Sequence, residues 1–273
     1  MEYADYAANV PSAVQLLLAV LLTAGVSVAL VAIFHRQLVA MAEEPEREDG
    51  DTSPEPPAAD HLSGRIIQVT SVGFVFLVTF TVGQFVLNYR SADSASHLEA
   101  QYFGRALASA QQLPAEFGRE TMVAALEDYR TMVVTEQWPL MERGDAPGAY
   151  AAQAQANARL FAAAGNSLSM GASELPVWGP LSASLDSMLL AANDRLGDMP
   201  NANAVRLVLV VIFLGAVSLA MTAVFQPARR GINLVLIAIM GGTYGLMFYI
   251  TVELSNPFQG AGGIPPILGL LPS

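Results

Sequence analysis

The run IIQVTSVGFVFLVTFTVGQFVLN, Ile66 to Asn88, decides the reading of this chain. It holds no charged residue, and Arg65 and Arg90 bound it. About 20 apolar residues suffice for a helix to cross a hydrocarbon core of about 30 Å, so the run predicts a membrane-spanning helix. The composition agrees. Of 273 residues 53% are hydrophobic and only 14% charged, against about 25% charged in soluble domains.

Three further runs of this kind flank it. The first, 13–35, ends at His35-Arg36; the tail before it, 1–12, carries Glu2 and Asp5 but lacks the basic start of a cleaved signal peptide, so the run reads as a retained helix. Positions 205–226 form another, closed by Pro227 and Arg229-Arg230. After a turn at 227–231 the last run, 232–254, continues without a charge until Glu253 and stops at Asn256-Pro257, because the residue before a proline disfavours helix. A tail at 255–273 follows. The expected fold is all-α: a polytopic membrane protein with four transmembrane helices in two pairs.

The segments between the runs differ in kind. Positions 36–65 contain MAEEPEREDGDTSPEPPAAD, whose acids and prolines predict a disordered linker. Positions 90–204, about 115 residues, read as a helical soluble insert, with apolar residues recurring at three and four in HLEAQYFGRALASAQQL and ETMVAALEDYRTMVVTEQW. Leu98, Phe103, Leu107, Met122, Leu126, Tyr129 and Val133 should face its core, and Glu120, Glu127 and Arg130 water. Pro114, Pro139, Pro147 and Pro176 mark breaks, and GNSLSMGAS at 165–173 reads as a loop.

The charge balance is acidic, −11, and all 13 basic residues are arginine, which argues against a nucleic-acid footprint. No cysteine is present, so disulfides, thiolate catalysis and cysteine metal sites are excluded. His35, His61 and His97 lie in separate segments; Asp93 and His97 at i, i+4 read as a solvated pair. No phosphate loop or G-x-S-x-G elbow occurs. The expectation is a protein that is not an enzyme and carries no cofactor and no metal. Arg36, Arg47, Arg65, Arg229 and Arg230 outnumber Arg90, Arg195 and Arg206 on the other side, which places the insert and both termini outside the cytoplasm of a cell membrane.

Within the spans, Thr70, Thr81, Gln84 and Asn88 fall within about 60° of one another at 100° per residue. Such a polar stripe must face the bundle interior or a water-filled path. Gly215, Ser218 and Thr222 share a face of the third span, and Gly241 and Gly245 are spaced for close helix packing on the fourth. Tyr249 and Glu253 are four apart there, and Glu253 is the sole acid inside a span.

The order of parts, with Glu99-Ala100 opening the insert, then Tyr129, Glu136 with Trp138-Pro139, and Asn256-Pro257-Phe258-Gln259-Gly260 after the last span, resembles the bacterial bestrophin-like family, a membrane domain of unknown function. The resemblance covers roughly residues 66 to 266. Two departures stand out: Ser255-Asn256 replaces an acid before Pro-Phe, and Arg195 stands alone where the family carries an arginine pair. Bestrophins themselves are pentameric chloride channels whose Asn-Pro-Phe leads into an acidic calcium-binding stretch. Here QGAGGIPPILGLLPS follows without an acid, so such a clasp cannot be built. By that analogy the insert would be cytoplasmic, against the arginine count. The resemblance and the stripe together imply a homo-oligomer in the bilayer that conducts ions. The alternative is an accessory, scaffold or sensor subunit whose insert binds a protein partner or ligand through Trp138 and Trp178.

Overall fold

The computed structural model describes residues 12–42, 58–200, 202–225, 230–259 and 263–271. The tail before residue 12, the middle of the expected linker at 43–57, most of the 227–231 turn and Gly260 lie outside them. Every regular element among the described residues is helical. In chain order these are α1 (Ser12–Ala42), α2 (Ala58–Gln111), α3 (Arg119–Met132), a π-helical turn (Val133–Gln137), α4 (Trp138–Glu142), α5 (Ala146–Ser169), α6 (Trp178–Gly197), α7 (Ala202–Phe225) and α8 (Arg230–Leu254), with short 3-10 turns between and after them.

Three stretches among the described residues are long and apolar enough to cross a membrane: Val69–Gln111, Asn203–Met221 and Ile237–Leu254. The fourth expected span is represented by a shorter apolar stretch, Val14–Leu30 in α1. Both ends of the expected linker differ from expectation, since 36–42 and 58–65 are helical extensions of α1 and α2. Nor does α2 stop at residue 89. No proline occurs between Ala58 and Gln111, and its isolated glycines each cost only about 1 kcal/mol, so helix continues until Pro114.

The chain divides into two compact units, Met1–Gln84 with Ala204–Val252, and Phe85–Asn203 with Glu253–Ser273. The first is turned outward chemically. Leu22, Phe76 and Phe213 are well over half exposed, whereas Ser27, Thr81, Ser218 and Thr251 are almost wholly buried. Its small apolar core gathers Phe74, Val78, Val211, Leu219 and Tyr244. Hydroxyls of Thr23, Ser27, Thr79 and Thr251 donate to carbonyls four residues back, which satisfies them without water. Ser218 Oγ lies 3.0 Å from the Tyr244 hydroxyl and 3.3 Å from Ser71 Oγ, tying α7 to α8 and α2. Gly241 and Gly245 sit directly against Ser27 and Thr23 of α1, and Gly215 against Phe248 and Phe74.

The second unit is an ordinary core of Phe103, Met122, Leu126, Tyr129, Val133, Leu160, Leu181 and Met188. Leu98 departs from expectation at 41% exposure, because the buried face of α2 runs through Ala95, Glu99, Ala100 and Phe103, a quarter-turn away. Leu107 packs partly buried against the core. Glu120 is exposed, but Arg130 is mostly covered: its Nη2 donates to the carbonyl of Leu271 at 2.8 Å, so the segment around Leu271 returns over α3. The stretch 165–173 is not wholly a loop. Helix α5 runs to Ser169, and the break falls at Gly171, whose φ of 88° is left-handed. Pro147 occupies the first turn of α5, where its missing N–H costs nothing, and Asp145 caps that turn by accepting from the Gly148 N–H at 3.0 Å.

Candidate functional site: a buried polar ring and an open helix face

Glu99 projects from α2 into the core of the second unit, 1% exposed, so both its oxygens need donors. Oε2 accepts from Arg195 Nε at 2.7 Å; Oε1 accepts from the Tyr129 hydroxyl at 2.7 Å and from Arg195 Nη2 at 3.2 Å. The same Nη2 donates to Gln137 Oε1 at 2.8 Å. Gln137 Nε2 donates to Gln153 Oε1 at 2.8 Å, and Gln153 Nε2 returns to the Tyr129 oxygen at 3.2 Å. The result is a closed ring of five side chains, one each from α2, α6, the π turn, α5 and α3. All are at most 6% exposed. Burial, then the neighbouring Glu99 carboxylate, pushes the Tyr129 phenol well above its usual range, so it stays a hydrogen-bond donor.

The π turn explains why Gln137 is in the ring and Glu136 is not. An extra residue between Val133 and Gln137 rotates the following face by about 100°, turning Gln137 and Trp138 inward and leaving Glu136 exposed. Trp138, 3% exposed, lies with its ring centre 5.1 Å from the Arg195 guanidinium carbon and edge-on to Phe258 at 5.6 Å. Pro139 follows in the first turn of α4. Asn256 Nδ2 donates to the carbonyls of Met141 and Glu142, both at 3.2 Å, while its Oδ1 accepts from the Phe258 N–H at 3.1 Å. Asn256, Pro257 and Phe258 are thereby seated on α4, against the ring.

Glu99, Tyr129, Trp138, Asn256 and Phe258 are thus brought together. Arg195, Gln137 and Gln153 complete the ring, and the sequence reading did not place them in it. The ring's polar atoms answer one another, and its chemistry is that of an internal clamp. Trp138 is buried and Trp178 is packed partly buried against the core, so neither forms the exposed docking surface expected of them.

The polar residues of the second span are divided. Thr81 is fully buried with no partner for its hydroxyl, Thr70 is half-buried, and Gln84 and Asn88 are exposed. The side chain of Thr222 lies outside the description. Asp93 and His97 form an exposed pair at 3.8 Å, and among the described residues no three acidic or histidine side chains converge as a metal site.

A family model of the Bestrophin-like domain matches residues 37–267. The chain belongs to the Bestrophin-like domain family. The match includes every member of the ring and of the Asn-Pro-Phe seat, and begins after the expected first span. With its outward-facing apolar helices, this bestrophin-like chain is a membrane protein. No curated protein and no solved structure matches it.

Proposed function

We propose that this bestrophin-like protein is a homo-oligomeric ion channel of the cell membrane, with α1 as a fourth span and the path running along α2. The supporting observation is the exposure of Gln84 and Asn88. On the same helix the other outward residues include Val69, Phe76, Phe80 and Leu87, as lipid demands. A carboxamide left in hydrocarbon without a partner costs several kcal/mol, so these two are expected to meet water or another copy. Uncharged amides and hydroxyls replace part of an ion's hydration without holding it too tightly. Thr70 shares the stripe, whereas Thr81 belongs to the bundle interior. The packing of Gly241 and Gly245 on α1 supports the fourth span. The arginine bias puts the insert and termini on the extracytoplasmic side, as a reporter fused after Ser273 should read.

The test is ion flux in liposomes containing the purified full chain. The parent is expected to conduct, and Gln84→Leu with Asn88→Leu to lower flux several-fold while keeping the oligomer. No flux for any common ion from folded, correctly inserted protein overturns the reading.

A further inference from the structure

A cleft in the second unit is used by neither the ring nor the spans. Helices α2, α5 and α6 border a volume of about 620 Å³ there, within the range of about 300–1,000 Å³ typical of small-molecule sites. Its polar wall is Ser91 and Ser94 of α2 with Asn193, Asp194 and Asp198 at the end of α6. Leu98 and Tyr150, 41% and 45% exposed, add apolar surface, so the unexpected exposure of Leu98 belongs to this cleft.

The charge of the cleft is one-sided. Two acids line it and no base does. They stand at the C-terminal end of a 20-residue helix, where aligned peptide dipoles leave partial negative charge and a cation is favoured. The base of that last turn, Arg195, is turned inward to Glu99 at 2.7 Å. No ion pair among the described residues reaches Asp194 or Asp198. The Ser91 hydroxyl donates to the Asp198 carboxylate, yet Asp198 Oδ2 is shut off from solvent without a donor. Burial disfavours the charge on this carboxyl, and a cation in the cleft offsets that cost.

The lining also sets the kind of cation. A hard metal ion gathers about six to eight close oxygens with carboxylates prominent among them, whereas this cleft is roomy and no three acidic or histidine side chains converge among the described residues. An organic ammonium group matches what is present. Carboxylates, an amide and hydroxyls accept its three N–H donors, while Tyr150 and Leu98 receive its carbon atoms. Along the chain, Ser91 comes three residues after the apolar run Ile66 to Asn88, and Asp198 four before α7 begins at Ala202. An amine can therefore come from a lipid headgroup as well as from solution.

We infer that the cleft bordered by α2, α5 and α6 binds an organic ammonium group through Asp194 and Asp198, carried by a free amine or by a lipid headgroup. The inference is independent of oligomerisation and of conduction.

Calorimetric titration of the full chain in maltoside detergent is expected to show saturable binding of ethanolamine and none of ethylene glycol, in which a hydroxyl replaces the ammonium. Asp194→Asn with Asp198→Asn is expected to weaken binding about tenfold or more with unchanged helical circular dichroism. Tyr150→Ala, which leaves both acids in place, should weaken it several-fold. Where the amine is a lipid's, ethanolamine gives no heat, and nanodiscs of phosphatidylethanolamine raise the melting temperature of the parent above that in phosphatidylglycerol, a gain that both variants lose. Neither signal, an equal response to ethylene glycol, or a parental response in either variant overturns the inference. Binding of calcium chloride with no response to any amine overturns it as well.

Discussion

Arg195 and Glu99 are 0% and 1% exposed, so neither charge can turn to solvent if the other is lost. Breaking a buried pair by removing one partner costs about 3–5 kcal/mol, whereas replacing both with apolar residues is often neutral. Glu99→Gln is therefore expected to destabilise the second unit by about that amount in chemical denaturation, and Glu99→Met with Arg195→Met to recover most of it. A double variant no better than the single would refute the pairing. Glu99 and Tyr129 were legible in the sequence as motif positions, but Arg195 stood as an isolated arginine because pairing across so long a stretch leaves no local signal. Asp198 offers a second test. Burial raises its carboxyl above the ordinary value of 3.8, Asp194 adding to the shift and a hydrogen bond from Ser91 opposing it. A raised folded value means that the folded state holds the proton more tightly, so stability is fullest below the unfolded value and declines as pH rises through the folded one. Asp198→Asn should melt higher than the parent at neutral pH, with the gap closing as pH falls toward 4.

At the scale of elements, hydropathy located α2, α7 and α8 well because lipid selects directly for length and apolarity. It misjudged where α2 ends, since Arg90 ends an apolar run without ending a helix; only Pro114 does that. The π turn was illegible for a different reason. One extra residue in a helix leaves no mark on composition, and a regular helix from Tyr129 would have turned Glu136 rather than Gln137 inward. The glycines of α8 are tested by bulk. A Cβ at Gly245 would stand 2.7 Å from the Ala19 carbonyl oxygen, so Gly245→Val must push α1 aside. Overpacking of this sort costs about 1–3 kcal/mol. Thermal unfolding in detergent should show the loss, and the same change at Gly83, which has nothing within 4 Å, should show little.

Across the whole molecule, two opposite solvents shaped one sequence. In the first unit Ser27, Thr81, Ser218 and Thr251 turn inward and Leu22, Phe76 and Phe213 outward; in the second, apolar side chains line the core, and Glu120, Asp128, Asp186 and Asp194 are exposed while Glu99 alone is drawn into the ring. Composition alone announced the first, and helical periodicity the second. The ring of five side chains adds a matter of timing. Glu99 and Arg195 are 96 positions apart, and Arg195 precedes α7 by only a few residues. At about 5–20 residues per second, synthesis leaves the carboxylate of Glu99 waiting roughly 5–20 seconds for its partner. The ring can close only as the third apolar run begins to leave the ribosome, and Phe258, Ile264 and Leu268 of the same core follow α8, so the water-exposed fold opens before the last two helices are made and is finished only after both have left the ribosome.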